Sequence, residues 1–373
     1  MIEKCIKSNL KKIKRQYVNR QIEAERKREE DIVVGQLDDS DFEPLTQSEK
    51  DAFCKLWSPV ATSFSFREME RYKKLNGFDP RYMPHQLYLP LIARRLNDYR
   101  LTKILEHKAM AGWISANTKQ CPLRFPYCYI RKINGSYYNN EMEEISEEQA
   151  VKNLLDAPLF IIKPAIDSAN GNGVKKVKPT DEASLRKLLS EYKDNCVAQE
   201  AIRQSEFTSQ FNRDSVNTFR VETLYLNGKT TVCCNIFRFG MPGSLTDNVG
   251  GGGCAIQVVD GVLCNQAITA KHEIVTKVNG LDLSEKFIIP NMKAIEEILV
   301  KCHALLYPFS HFNGWDIALD TNNQPVVIEV NTSQPGVAFE QELCGPIFGD
   351  RTQEVIDYCK TKDFNYNKSL LQY

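Results

Sequence analysis

The spacing of hydrophobic positions changes along this chain. Ile2, Ile6, Leu10, Ile13 and Tyr17 recur at helical steps and predict one apolar stripe on an N-terminal helix. A linker-like acidic stretch, VVGQLDDSDFEPLTQSEK, follows, and Ser48 is expected to precede the next helix. Residues 49–120 keep a mostly helical pattern broken at Pro84 and Pro90. YCYIRKINGSYYN then predicts a hairpin turning at Asn134-Gly135, and SEEQAVKNLL a helix capped by Ser146. Beyond that the pattern is α+β. PLFIIKPAI, VKKVKP and CVAQEAI predict strands, with EASLRKLLSEY as a helix between the last two. Two hairpins are expected to turn at Asn227-Gly228 and Asp260-Gly261. MKAIEEILVKCHALL and RTQEVIDYCK predict helices on either side of a last hairpin, FNGWDIALDTNNQPVVIEVN. The expected organisation is a charged helix and linker over 1–48, a mostly helical region with a hairpin over 49–150, and an α+β domain over 151–360. That domain divides into subdomains of about 151–200 and 201–360.

With 373 residues, 42% of them hydrophobic, the chain can bury the cores of two or three domains. Lys and Arg together number 48, as do Asp and Glu, so the global charge does not point to nucleic acid or a membrane. No apolar run has spanning length, and no secretory leader is evident. The cysteines include no CxxC pair, which fits free thiols in a reducing cytosol and hence a cytoplasmic protein. Within residues 1–20, seven Lys and Arg side chains stand against Glu3 alone. Two readings stay open for this helix: packing on the body with a solvated basic face, or docking to a membrane surface or a partner.

The last hairpin carries two acids among its apolar residues. With a turn centred between Asn322 and Asn323, Asp316 lies opposite Glu329, and Asn331 points the same way. Like charges opposite one another destabilise a sheet, and a hard divalent cation would relieve them. The other arrangement that periodicity allows puts both acids, with Ala318 and Val327, on a solvent face. Upstream, FIIKPAIDSANGNGVKKV sets Lys163 at a strand end before a small glycine-containing loop, a geometry suited to phosphate oxygens. No GKS or GKT closes the loop, so it is not a P-loop. Cys302 and Trp315 are expected in the core, and Arg131 and Lys132 on a hairpin surface.

This series resembles the ATP-grasp superfamily. Within it, the chain is similar to the sugar-transfer-associated ATP-grasp proteins found with bacterial surface-polysaccharide genes. The resemblance spans roughly residues 100–350 and rests on Lys163 and its loop, the QE-hydrophobic strand, DSVNTFRVETL, the DN…GGG segment and GWDIAL…VIEVNTSQPG. It implies an ATP-grasp fold, two α+β subdomains clasping ATP, behind a mostly helical N-terminal region. It further implies that Lys108 and Lys163 contact phosphates or the base edge, and that Ser168 through Gly173, including Gly171, form a mobile lid. Gln199, Glu200, Ala201 and Ile202 would read adenine, and Glu206 would hold the ribose. Arg220 and Arg238 would stabilise the transferring phosphoryl group. Asn248 and Gly250, Gly251 and Gly252 would line the reacting end, and Asp316, Glu329 and Asn331 would hold Mg²⁺.

The chain departs from the family pattern at His107, where Asp is common, and in a lid with Asn170 and Asn172 between its glycines. The implied function is an ATP- and Mg²⁺-dependent carboxylate–amine ligase working through an acyl phosphate. Its expected product is an amide on a uronic-acid sugar or glycan precursor for capsular polysaccharide. One alternative is a sugar kinase using Asp247 or His272 as base; another is a non-catalytic nucleotide-binding partner of glycosyltransferases.

Overall fold

A computed structural model of the chain describes residues 2–118, 120–166 and 172–362. The chain divides into two compact units, residues 1–99 with 336–373, and residues 100–335.

The first unit is helical. Its longest helix, Ile2–Val34, is followed by Gln47–Trp57 and Arg67–Asn76, and the unit also takes in Ala338–Cys344 and Thr352–Lys360. The helix expected after Ser48 starts two residues earlier: Thr46 and Glu49 form a reciprocal capping box, so Ser48 lies inside it. Pro90 does not break the chain but sits within a π-helical segment, Tyr88–Ala93, whose wider turn accommodates a residue that lacks an N–H. Tyr17, the described member of the predicted apolar stripe, is 58% exposed. Among the described side chains of this helix, Arg26, Glu29 and Val33, at helical spacing, are the buried ones. Arg26 donates to Ser63 Oγ (2.9 Å) and Gln86 Oε1 (3.2 Å), so a polar seam fastens the helix.

The second unit contains two antiparallel sheets. Strands β1 (Cys128–Ile133), β2 (Ser136–Tyr138), β3 (Glu144–Ile145), β4 (Phe160–Pro164), β5 (Lys175–Val177) and β6 (Cys196–Glu200) form a six-stranded sheet in the order β3-β2-β1-β6-β4-β5. Next along the chain come β7 (Thr218–Leu226), β8 (Lys229–Phe239), β9 (Cys254–Val259), β10 (Val262–Thr269) and β11 (Ile274–Val275). The short pair β12 (Lys277–Val278) and β13 (Leu281–Asp282) stands apart. With β14 (Phe312–Leu319) and β15 (Pro325–Asn331), a seven-stranded sheet runs β11-β10-β9-β8-β7-β14-β15. The predicted hairpin turns hold: Asn134-Gly135, Asn227-Gly228 and Asp260-Gly261 all have positive φ at both positions.

One face of the large sheet is apolar. Phe219, Val221, Phe237, Trp315, Ile317 and Val327 pack with Ile295, Leu299 and Cys302 of the helix Met292–Leu306. Period-two alternation sends Thr218, Arg220 and Asp316 to the other face. Between β14 and β15 the register slips once. Leu319 pairs with Pro325 and Ile317 with Val327, but Asp316 pairs with Glu329, leaving Ile328 as the bulged residue. The expected Asp316–Glu329 pairing is therefore present, although the turn is not centred where the sequence reading put it. Ala318 and Val327 are fully buried, which excludes the solvent-facing arrangement of this hairpin.

Candidate functional site

Two clusters meet at Glu329. The first is built on the helix Lys108–Ala116, whose start is held from three sides. Lys108 N donates to Ala165 O (2.9 Å), just past the end of β4. His107 fills the cap position, its Nδ1 accepting from Ala109 N (3.3 Å). Burial holds the His107 imidazole below its usual value, which favours the neutral ring this cap needs. Glu106 accepts from Thr332 N (2.8 Å), Ser333 N and Ser333 Oγ (2.7 Å), tying the same turn to the residues after β15. Burial raises the Glu106 carboxyl, against the lowering effect of these bonds. The result places Lys108 Nζ 2.8 Å from Glu329 Oε1. Lys163, near the end of β4, is also buried; its ammonium is lowered by burial, partly restored by Glu329 and lowered further by Lys108.

The second cluster is a row across the large sheet. Asp316 lies opposite Arg220, and Thr218 opposite Arg238. Arg220 grips the Asp316 carboxylate with two bonds, Nε to Oδ1 at 2.6 Å and a terminal guanidinium nitrogen to Oδ2 at 3.1 Å. Arg238 adds a contact to Oδ1 at 2.9 Å, and Asn331 donates to Oδ2 at 3.4 Å. Burial would raise the Asp316 carboxyl, but the two arginines outweigh it and hold it at about 2. Arg238 also bonds Thr218 Oγ1 (2.9 Å) and lies 3.7 Å from Asp247, to which the Thr218 hydroxyl donates. Burial pushes the Asp247 carboxyl up, with Arg238 opposing. Gly314 makes room for this row: a Cβ there would stand 3.2 Å from Arg220 Cδ.

The predicted residues separate into groups. Lys108, Lys163, Arg220, Arg238, Asp316, Glu329 and Asn331 are brought together. Asn248 caps a 3₁₀ turn, its Oδ1 accepting from Gly250 N (3.0 Å), next to Asp247. Gln199 is buried at the end of β6. Glu200 follows it and takes an ion pair from Arg124 (2.5 Å) and a bond from Tyr127 N (3.0 Å). Ala201 and Ile202 continue from that strand, half-buried, and exposed Glu206 opens a four-residue helix. Ser168 and Gly171 lie outside the described residues. Gly173 is at φ +74, and a Cβ there would meet Pro164 Cγ at 2.9 Å, so only glycine lets the chain return this closely onto β4.

Two expectations need correction. Arg131 is not a surface residue: it is 2% exposed, and it donates to Ala109 O (2.8 Å) and Asn139 O (2.6 Å), so it braces the helix that presents Lys108. The burial cost of the two acids, taken from sequence as a reason for a divalent cation, is met by arginine and lysine from the chain itself. Sequence reasoning missed Glu106, Arg124 and Thr218. Of these, Glu106 sits in the EHK triplet and could have been found there.

Lys108, Lys163, Arg220 and Arg238 bring four cations together beside Asp316, Glu329, Asp247 and Glu106. Such a site suits a polyphosphate. Mg²⁺ is held through one or two carboxylates together with phosphate oxygens. Glu329, with its side chain 28% exposed and its Oε2 without a partner among the described residues, fits that use, and Asp316 and Asn331 adjoin it.

The sugar-transfer associated ATP-grasp family matches residues 91–355. No curated protein matches the chain. Among solved structures, the VanG D-Ala:D-Ser ligase from Enterococcus faecalis is similar at 16% identity and a TM-score of 0.41, over 69% of this chain and 61% of that one. The D-alanine-D-alanine ligase from Coxiella burnetii is similar at 12% identity and a TM-score of 0.38, over 72% of this chain and 60% of that one. D-cycloserine synthetase DcsG is similar at 11% identity and a TM-score of 0.39, over 70% of each chain. The chain thus spans about three fifths of the length of the first two.

Proposed function

Since the chain belongs to the sugar-transfer-associated ATP-grasp family, we propose that it is an ATP- and Mg²⁺-dependent ligase joining a carboxylate to an amine. The observation that carries this reading is the joined pair of clusters, Lys108 on Glu329 and Arg220 with Arg238 on Asp316. These are preorganised charges around one polar patch. Reactions that pass through an acyl phosphate need just this: alignment and neutralisation of phosphoryl charge.

In the proposed reaction Lys108 and Lys163 bind the polyphosphate of ATP, and the backbone from Gln199 to Ile202 receives the base. Glu206 is the proposed ribose partner, and residues 168–173 the lid. Arg220 and Arg238 face the phosphoryl group during transfer; each can exchange part of its hold on Asp316 for phosphate oxygens. Asp316, Glu329 and Asn331 would hold Mg²⁺, which when bound supplies electrophilic neutralisation of those oxygens. Asn248 and its glycines shape the acceptor end. The proposed substrate is a uronic-acid sugar or glycan precursor, its carboxylate converted to an amide for a capsular or other surface polysaccharide. The family's association with sugar transfer supports that class. The N-terminal helix is the proposed docking element for a glycosyltransferase or a membrane surface. No described helix is long and apolar enough to cross a membrane.

The test is trapping. With ATP, Mg²⁺ and a panel of uronic acids, hydroxylamine should yield a hydroxamate, and ADP release should rise when an amine is supplied. A product with a stable phosphate on a hydroxyl, and no hydroxamate from any acid, would replace the ligase with a kinase.

A further inference from the structure

Two thiols from distant parts of the second unit meet away from the cluster of charges. Cys121 follows the helix Lys108–Ala116, and Cys302 lies in the helix Met292–Leu306. Their sulfurs are 3.2 Å apart across a sequence separation of 181 residues. Cys302 is fully buried among Leu299, Leu306 and Tyr307, while Cys121 is half-buried at the edge of the same core. Ser115 Oγ lies 3.5 Å from the Cys121 sulfur and donates to Leu123 O (3.2 Å), which fixes the turn carrying Cys121.

We propose that Cys121 and Cys302 form a reversible redox modification site, with Cys121 the attacking thiol and Cys302 the resolving one. The partner is a disulfide of the glutathione class. The Cys121 thiolate attacks one sulfur of that disulfide, whose S–S bond breaks, and the first thiolate leaves and takes up a proton. Cys302 then loses its proton and attacks the Cys121 sulfur, releasing the second thiolate. Both cysteines are oxidised, and the external disulfide is reduced to two thiols. Closure to an S–S bond of about 2.05 Å needs an approach of only about 1 Å.

The acid–base character of the pair supports the assignment. The bond shared with Cys302 lowers the Cys121 thiol, whereas the same contact and burial raise Cys302. By contrast, burial alone raises Cys254 to about 11. The linked segment also matters to the fold: Arg124, three residues beyond Cys121, accepts from Val327 N through its carbonyl (2.8 Å) and pairs with Glu200.

The experiment uses the full chain under native conditions near neutral pH, with oxidised glutathione as the probe. After alkylation of remaining thiols and digestion, mass spectrometry should find a Cys121–Cys302 peptide two hydrogens lighter than its parts, removable with dithiothreitol. The Cys302→Ala chain should stop at a glutathione adduct on Cys121. As a readout that needs no variant, iodoacetamide should label Cys121 at least about tenfold faster than Cys54, whose thiol is raised by burial and Asp51. A persistent glutathione adduct on wild-type Cys121 would overturn the proposal. So would labelling of Cys121 no faster than Cys54 with no cross-linked peptide.

Discussion

Replacing Asp316 with Asn keeps the volume of the side chain and removes its charge. Asp316 is 7% exposed and is shared by two guanidinium groups. Without it Arg220, which is 9% exposed, loses its bidentate partner and remains a buried cation. Breaking a buried pair from one side costs about 3–5 kcal/mol, mostly because the other charge is stranded. Part of this cost depends on pH. The Asp316 carboxyl stands at about 2 in the fold against an ordinary 3.8. Since one pKa unit is worth about 1.4 kcal/mol, that difference contributes roughly 2 kcal/mol. The folded value is depressed, so the contribution is fully present above the unfolded value and is lost as pH falls through about 4 toward 2. Urea unfolding of wild type and Asp316→Asn across this range should therefore show a stability gap near neutral pH that narrows by roughly 2 kcal/mol in acid. Arg220→Met should also destabilise, and the double variant by less than the two single losses added, because neither partner is then stranded. A gap that stays constant down to the lowest pH, or strictly additive losses, would refute this account.

His107→Asp should raise the melting temperature in acid, on the low side of the ordinary imidazole range, because protonation of the lowered His107 removes a cap acceptor as pH falls whereas Asp still accepts; circular dichroism melts at neutral and acid pH check this. Arg131→Met should cost about 3 kcal/mol from lost charged bonds to Ala109 and Asn139, and should weaken ATP binding in calorimetry by displacing the helix that presents Lys108. Gly173→Ala should lower stability by about 1–2 kcal/mol through its left-handed φ and its contact with Pro164, seen as faster amide exchange in β4. Glu329→Gln should leave the chain folded while abolishing ATP-dependent product formation, measured as ADP release.

Much of the fold was legible because its signals are local. Asn-Gly and Asp-Gly turns need positive φ, and strand alternation sends Thr218 and Arg220 to one face and Phe219 and Val221 to the other. The Asp316–Glu329 pairing was reached through an assumed turn centre, whereas the chain achieves it with a tighter turn and a bulge at Ile328, which leaves no trace in a period-two pattern. The partners of the acids were hidden for another reason. Lys108 reaches Glu329, and Arg238 reaches Asp316, only after strands distant in sequence are registered. Glu106 and Arg131 look like ordinary surface charges until their backbone acceptors and donors are known. The buried polar seam of the N-terminal helix was obscured by the apolar stripe that precedes it.

The single unpaired residue Ile328 acts as a phase shift in this hairpin. Draw it into regular pairing while the turn stays as it is, and every later residue changes partner: Glu329 would enter the layer occupied by Trp315, and Asp316 would face the aliphatic Ile328. The turn and the charged patch are thus separately adjustable, but the strand between them is not. Pairing Ile328 regularly, with no change of sequence, would unmake the patch while leaving its composition intact.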